Sequence, residues 1–199
     1  ESMQSQPVNM NFTFGNASDP NLGGDPSQAD YRLIGLPGTT NLSLTDLFGP
    51  EYGNVWRAFF ENGQEADFLE EFNPESGTFN FLPGVAYWVL STAAITYDGT
   101  LEPAMPDDLD RYAIPVHPGW NIIANPFTKA VAWAAVEEEN GFSRTLYGFN
   151  GSFAGADSLQ PFTGYYFYND PDQQLDELYI PYSDIRKKQP NIKAKQSAS

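Results

Sequence analysis

The chain has 199 residues, 41% apolar and 15% aromatic, with no cysteine and a net charge of -16. Lack of cysteine excludes disulfides, thiolate metal sites and cysteine nucleophiles. All 26 acidic residues lie within 1–185 against five of the ten basic ones, so this body carries -21 and repels phosphate backbones and anionic lipid. Nucleic-acid binding is therefore not expected, and no segment approaches the roughly 20 apolar residues of a membrane span. Residues 1–6 lack signal-peptide character, so export would use a signal upstream.

Along the chain, Val8, Met10, Phe12 and Phe14 alternate with polar residues, the period of a half-buried strand. Residues 15–30 are rich in Gly, Pro, Asn, Asp and Ser and read as a long surface loop. A first core strand is expected over 31–36, one helical turn over 45–48, and a strand over 55–61 leading to the hairpin signal Asn62-Gly63. Strands follow at 79–81 and 85–92, then a connecting loop over 98–111 and a strand over 112–116. A second core strand covers 120–124, a helix 130–139, and strands lie over 144–149, ending at Asn150-Gly151, and 163–169. The last strand is 178–181. Residues 183–199 form a polar, mostly basic tail.

Several of these segments recur. Tyr31-Arg32-Leu33-Ile34-Gly35-Leu36-Pro37 returns as Trp120-Asn121-Ile122-Ile123-Ala124-Asn125-Pro126, and Leu82 to Val89 as Gln160 to Phe167. Tyr112-Ala113-Ile114-Pro115 is matched with Leu178-Tyr179-Ile180-Pro181. Repeated units of this size share one core when neither can bury its apolar face alone. The expected fold is all-β: an internally duplicated sandwich- or barrel-like domain, with a pseudo-twofold relation between the copies and at most short helices. Its parts are an N-terminal strand and loop (1–30), a first β-repeat (31–117), a second β-repeat (118–182) and a basic tail or linker (183–199).

The residues point away from most catalytic chemistry. His117, the only histidine, stands in a turn, no Gly-x-Ser-x-Gly elbow is present, and one imidazole cannot build a multi-histidine metal site. Glycoside hydrolysis needs a carboxylate pair, yet Glu70-Glu71 and Glu137-Glu138-Glu139 lie in polar runs, Glu61 at a hairpin turn and Glu102 in a loop. Calcium could use Asp19, Asp25 and Asp30, or Asp107, Asp108 and Asp110, although neither run has EF-hand spacing. Otherwise no cofactor is expected.

Aromatic side chains are the feature suggestive of a ligand, because sugars stack their C–H faces on Trp and Tyr. Trp56, Trp88, Tyr147, Tyr166 and Tyr168 are the candidate binding platform, with Trp120 and Trp133, beside aliphatic residues, assigned to the core.

The run Gly119-Trp120-Asn121-Ile122-Ile123-Ala124-Asn125-Pro126-Phe127, with Tyr147-Gly148-Phe149-Asn150-Gly151 and residues 160–166, resembles the duplicated Gly-Trp-Asn β-modules of large secreted multidomain proteins of Gram-negative bacteria. The likeness spans about residues 31–181. The first copy departs from it in having Tyr31-Arg32 for Trp-Asn. The resemblance implies a secreted or cell-surface, noncatalytic, carbohydrate-binding-module-like accessory domain, with polysaccharide and neighbouring domains of the same polypeptide as partners. The alternatives are a structural or protein-interaction spacer and, third, a β-sandwich glycoside hydrolase.

Overall fold

Two four-stranded antiparallel sheets carry the aromatic strands. The computed structural model describes residues 6–13, 26–39, 42–64, 66–75 and 79–182, without the side chains of 6–13, 94–98 and 173. The expected alternation in 8–14, most of the loop over 15–30 with Asp19 and Asp25, and the basic tail therefore lie outside the described residues or side chains.

In the first half, β1 (Gln6–Thr13), β2 (Arg32–Gly35), β3 (Leu42–Ser43), α1 (Leu44–Phe48), β4 (Trp56–Glu61), β5 (Leu69–Glu71), β6 (Asn80–Phe81), β7 (Ala86–Ser91) and β8 (Ala94–Leu101) follow in order. The second half runs β9 (Arg111–Pro115), β10 (Gly119–Ala124), β11 (Val131–Ala132), α2 (Trp133–Asn140), β12 (Leu146–Phe149), β13 (Phe153–Ala156), β14 (Ser158–Leu159), β15 (Gly164–Asn169) and β16 (Glu177–Pro181). The main sheets are ordered β2-β7-β4-β5 and β10-β15-β12-β13, and each half adds a two-stranded ladder, β3-β6 or β11-β14. The protein is thus an all-β, sandwich-like fold with two short helices.

Register makes the halves comparable residue by residue. Leu33 faces Trp88 and Gly35 faces Ala86 in the first sheet, while Ile122 faces Tyr166 and Ala124 faces Gly164 in the second. Likewise Phe59 pairs with Trp88 as Tyr147 does with Tyr166, and Glu61 with Leu69 as Phe149 does with Phe153. Glu61 therefore takes the place in its sheet that Phe149 takes in the other.

Side chains alternate across these strands and both faces are covered. Tyr87 and Val89 of β7 point into a core with Trp56, Phe72 and the α1 residues Leu44, Leu47 and Phe48. Tyr165 and Phe167 of β15 do the same beneath α2, with Trp133, Val136, Leu178 and Ile180. Between the sheets, Leu33, Trp88 and Phe149 form a third core with Tyr31, Phe59, Ile122 and Tyr166. This second layer is why every residue of β7 is buried.

The sheets meet at small residues. A Cβ added to Gly35 would overlap the Ala124 Cβ, and one added to Gly164 would lie 2.7 Å from the Ala86 Cβ. Equivalent positions of the two halves thus touch one another, and the Ala124 N–H donates to the Gly84 carbonyl at 2.9 Å across the contact.

Three expectations need correction. Asn62-Gly63 and Asn150-Gly151 do not form two-residue hairpin turns: Glu61 pairs with Leu69 and Phe149 with Phe153. A type I′ turn needs positive φ at both central residues, but only the glycines have it, and Asn62 Oδ1 instead accepts the Gln64 N–H at 2.9 Å. Residues 98–101, expected in a loop, belong to β8, whose ladder with β1 supplies backbone partners no local pattern reveals. The segments 112–115 and 178–181, matched as copies, are paired with each other in β9 and β16. Both resemble one another because both place an isoleucine or leucine in the same core, Ile114 beside Leu178 and Ile180.

The expected helix over 130–139 begins later, at Trp133, and ends at Gly141 with φ +70°. Its C-terminal glutamates are held: Glu137 accepts the Arg144 N–H at 2.6 Å and Glu139 pairs with Arg111 at 3.1 Å. Asn125, buried after β10, donates to the Lys129 and Leu159 carbonyls and accepts the Phe127 N–H. Replacing it with alanine orphans three backbone groups and is expected to cost about 2 kcal/mol, read as a lowered urea midpoint. An unchanged midpoint would mean the loop repacks without it. The first half has Leu36 here, a core residue.

Candidate functional site

The inter-sheet face of the second sheet extends past its cover. Trp120 lies on the same face as Ile122, two residues on, and its antiparallel partner is Tyr168. Gly119, with φ +90°, turns the chain into β10, and Asn121 secures that turn by accepting the His117 N–H and donating to the His117 and Gly119 carbonyls. Asn169 donates to the same His117 carbonyl at 3.1 Å. Held in this way, Trp120 is 46% exposed and Tyr168 39% exposed. The Trp120 ring centroid lies 5.7 Å from Tyr147, 6.0 Å from Tyr166 and 5.0 Å from Tyr168, all edge-on.

These rings line a cleft of about 1020 Å³ between the β10-β15-β12 face and the β4-β5 hairpin, which contributes Glu61, Gly63, Gln64 and Phe68. His117 and Phe153 complete much of the wall. Trp120, Tyr147 and Tyr168 also border a neighbouring hollow of about 630 Å³ reaching Arg144, Asp170 and Asp172. Trp120 is thus a ridge between two depressions.

Glu61 is the unusual member. In the other half, Phe149 fills the equivalent position and packs on Trp88 at 4.7 Å. Glu61 is only 8% exposed, and its Oε2 is buried with no hydrogen-bond partner among the described residues. Burial pushes its carboxyl up to about 7. Tyr166 beside it is pushed up to about 12, chiefly by burial, with the Glu61 charge adding and the bond from Trp88 Nε1 opposing. His117 approaches the hairpin at Gly63, where an added Cβ would lie 3.0 Å from Nε2. Its Nδ1 donates to the Pro118 carbonyl at 3.0 Å, since a carbonyl only accepts.

Of the candidate platform residues, Tyr147, Tyr166 and Tyr168 come together in this cleft. Trp56 does not: it is 0% exposed, with Nε1 donating to the Gly49 carbonyl and its ring against Phe48, Tyr52 and Phe72. Trp88 is buried between the sheets and lies behind the cleft, bonded to the Tyr166 hydroxyl and in ring contact with Phe153 and Tyr166. Neither can offer a ring face to a ligand. Trp133 is core, as expected, but Trp120 is not, because its strand outruns the covering sheet. Of the other cleft residues, the sequence set aside Glu61 and His117, assigned Trp120 to the core, and gave no sign of Phe68 or Phe153. For Glu61 a signal existed, a carboxylate beside one Asn-Gly where the other has phenylalanine.

Among the described residues no group of three or more His, Asp or Glu is placed to hold a metal. Asp107 instead accepts from the Leu109 and Arg111 backbone and from Arg111 Nε, closing its own loop. No helix there is long and apolar enough to cross a membrane. No protein family, curated protein or solved structure matches the chain. Fold and site together define the class: an all-β, sandwich-like protein with an open, aromatic-lined cleft on one sheet.

Proposed function

We propose that the chain is a noncatalytic carbohydrate-binding accessory module of a secreted or cell-surface multidomain protein, built from two copies of one β-unit, and that the Trp120 cleft takes polysaccharide. The observation that carries this reading is Trp120, half exposed and braced by three tyrosines, in a cleft that also presents Glu61, Gln64 and His117. Indole and phenol faces suit the apolar faces of sugar rings, and nearby polar groups suit their hydroxyls. The repeated register and the Gly-Trp-Asn resemblance support the same assignment.

Three of the four tryptophans, Trp56, Trp88 and Trp133, are buried, so a ligand-dependent change in tryptophan fluorescence reports chiefly on Trp120. Saturable binding to one or more of a panel of polysaccharides is expected. Measured by calorimetry, since the variant lacks the reporting indole, Trp120→Ala should weaken binding at least tenfold, as loss of a central aromatic anchor does, with the melting temperature nearly unchanged. Burial of the other tryptophans favours the competing reading, a structural or protein-interaction spacer. Silence across the panel would favour that alternative, a Trp120→Ala variant that binds normally would move the glycan away from the Trp120 cleft, and sugar release would establish a hydrolase.

A further inference from the structure

Resting on the carbohydrate reading, we propose that the cleft selects a glycan bearing free amines, whose ammonium group sits against the Glu61 carboxylate among the rings of the cleft. Three observations carry this. The scaffold does not require an acid at this position, because the register-equivalent residue is Phe149, which closes the inter-sheet gap by packing on Trp88. Among the described residues the acid is nonetheless buried with Oε2 unpartnered, and none of the four ion pairs engages it. Among the described residues the cleft lining contains aromatic rings but no lysine or arginine.

A buried carboxylate without a partner is costly, so up to about pH 7 a proton neutralises it, and an ammonium group brought by a ligand can take that proton's place. The faces of Trp and Tyr rings attract the same cation through their quadrupoles. A neutral sugar hydroxyl can share a hydrogen bond with Glu61 but brings no positive charge to replace that proton. Sharing the cleft with Glu61 from the other elements are His117, from the turn before β10, and the phenols Tyr147, Tyr166 and Tyr168 of β12 and β15, with Tyr166 beside it. None of these phenols is cationic, and the His117 Nδ1 is engaged with Pro118. The surrounding body, at -21 over residues 1–185, adds long-range attraction for a polycation at low salt.

The test is a matched pair, a glucosamine hexamer and its N-acetylated counterpart, titrated separately at pH 6.5 and low salt. The wild-type protein is expected to prefer the free amine by about tenfold or more, the scale of a desolvated cation–π and charge-assisted contact. Glu61→Gln, nearly isosteric and checked for folding by its melting temperature, should bring the ratio close to one. Equal or tighter binding of the acetylated hexamer overturns the proposal, as does a preference that survives in Glu61→Gln. If the variant does not fold, the wild-type ratio alone decides. An oligolysine that binds more tightly than the amino-sugar hexamer also overturns it, in favour of a basic peptide. Neutral glycans binding without preference for amines would sink this inference and leave the carbohydrate reading standing. Failure of every glycan sinks both.

Discussion

Gly35→Ala is expected to destabilise the protein by about 3 kcal/mol, the upper part of the range for overpacking, and Ala124→Gly in the same chain should restore most of it. The new methyl group of the single variant falls on the Ala124 Cβ and lies 3.0 Å from the Val85 carbonyl oxygen. Neither obstacle is the far end of a flexible side chain. The two sheets must separate, which loosens the Leu33, Trp88 and Phe149 layer between them. Removing the opposing methyl with Ala124→Gly vacates the space. That change alone should cost only about 1 kcal/mol, from glycine in a strand and a small void. Urea unfolding of the two single variants and the double variant closes the cycle. A Gly35→Ala protein as stable as wild type would refute the close approach. Gly148→Ala is the contrasting case, because its added Cβ meets nothing nearer than the Tyr165 ring at 3.5 Å.

Glu61→Leu should make the protein more stable at pH 8 by about 3 kcal/mol and much less so at pH 4.5. Burial raises the Glu61 carboxyl from 4.5 to about 7, and at 1.36 kcal/mol per unit the shift corresponds to about 3 kcal/mol. Between these values the folded chain holds a proton that the unfolded chain has lost. Stability from this group is therefore fully present below pH 4.5, declines as pH rises through about 7, and stays low above it. Other carboxylates run the opposite way. Asp46, bonded by Ser43, and Glu71, held by Arg57, lie below their ordinary values, so their contributions are lost as pH falls. Subtracting wild type from Glu61→Leu at each pH removes those shared terms. A difference that stays constant from pH 4.5 to 8 would show that Glu61 is solvated in the folded state.

Gly35 and Glu61 both owe their environment to residues far off in the chain. Strand content and the short helix after Ser43 were legible because they rest on local chemistry. Alternation in Tyr165-Tyr166-Phe167-Tyr168 sorts its side chains by parity, and Ser43 caps α1 by accepting the Asp46 N–H. The Asn-Gly signals correctly marked chain reversals but not their lengths. The ladder partners of Glu61 and Phe149 set those lengths, leaving a longer connection after β4 than after β12.

The site was legible only in part. Tyr147, Tyr166 and Tyr168 fall on one face by parity and register, and sequence reading grouped them. It also grouped Trp56 and Trp88 with them, since nothing local distinguishes an indole under α1 or between two sheets from one facing solvent. Trp120 was assigned to the core because Ile122 and Ile123 follow it. The sequence by itself determined which residues share a face, since a strand's period of two is a property of the backbone. Only the tertiary structure decided which of those faces is covered, because cover comes from a second sheet whose extent no single strand encodes. The two sheets cover Trp88 and Ile122 from opposite sides, stop short of Trp120, and leave Glu61 buried at the edge of the opening.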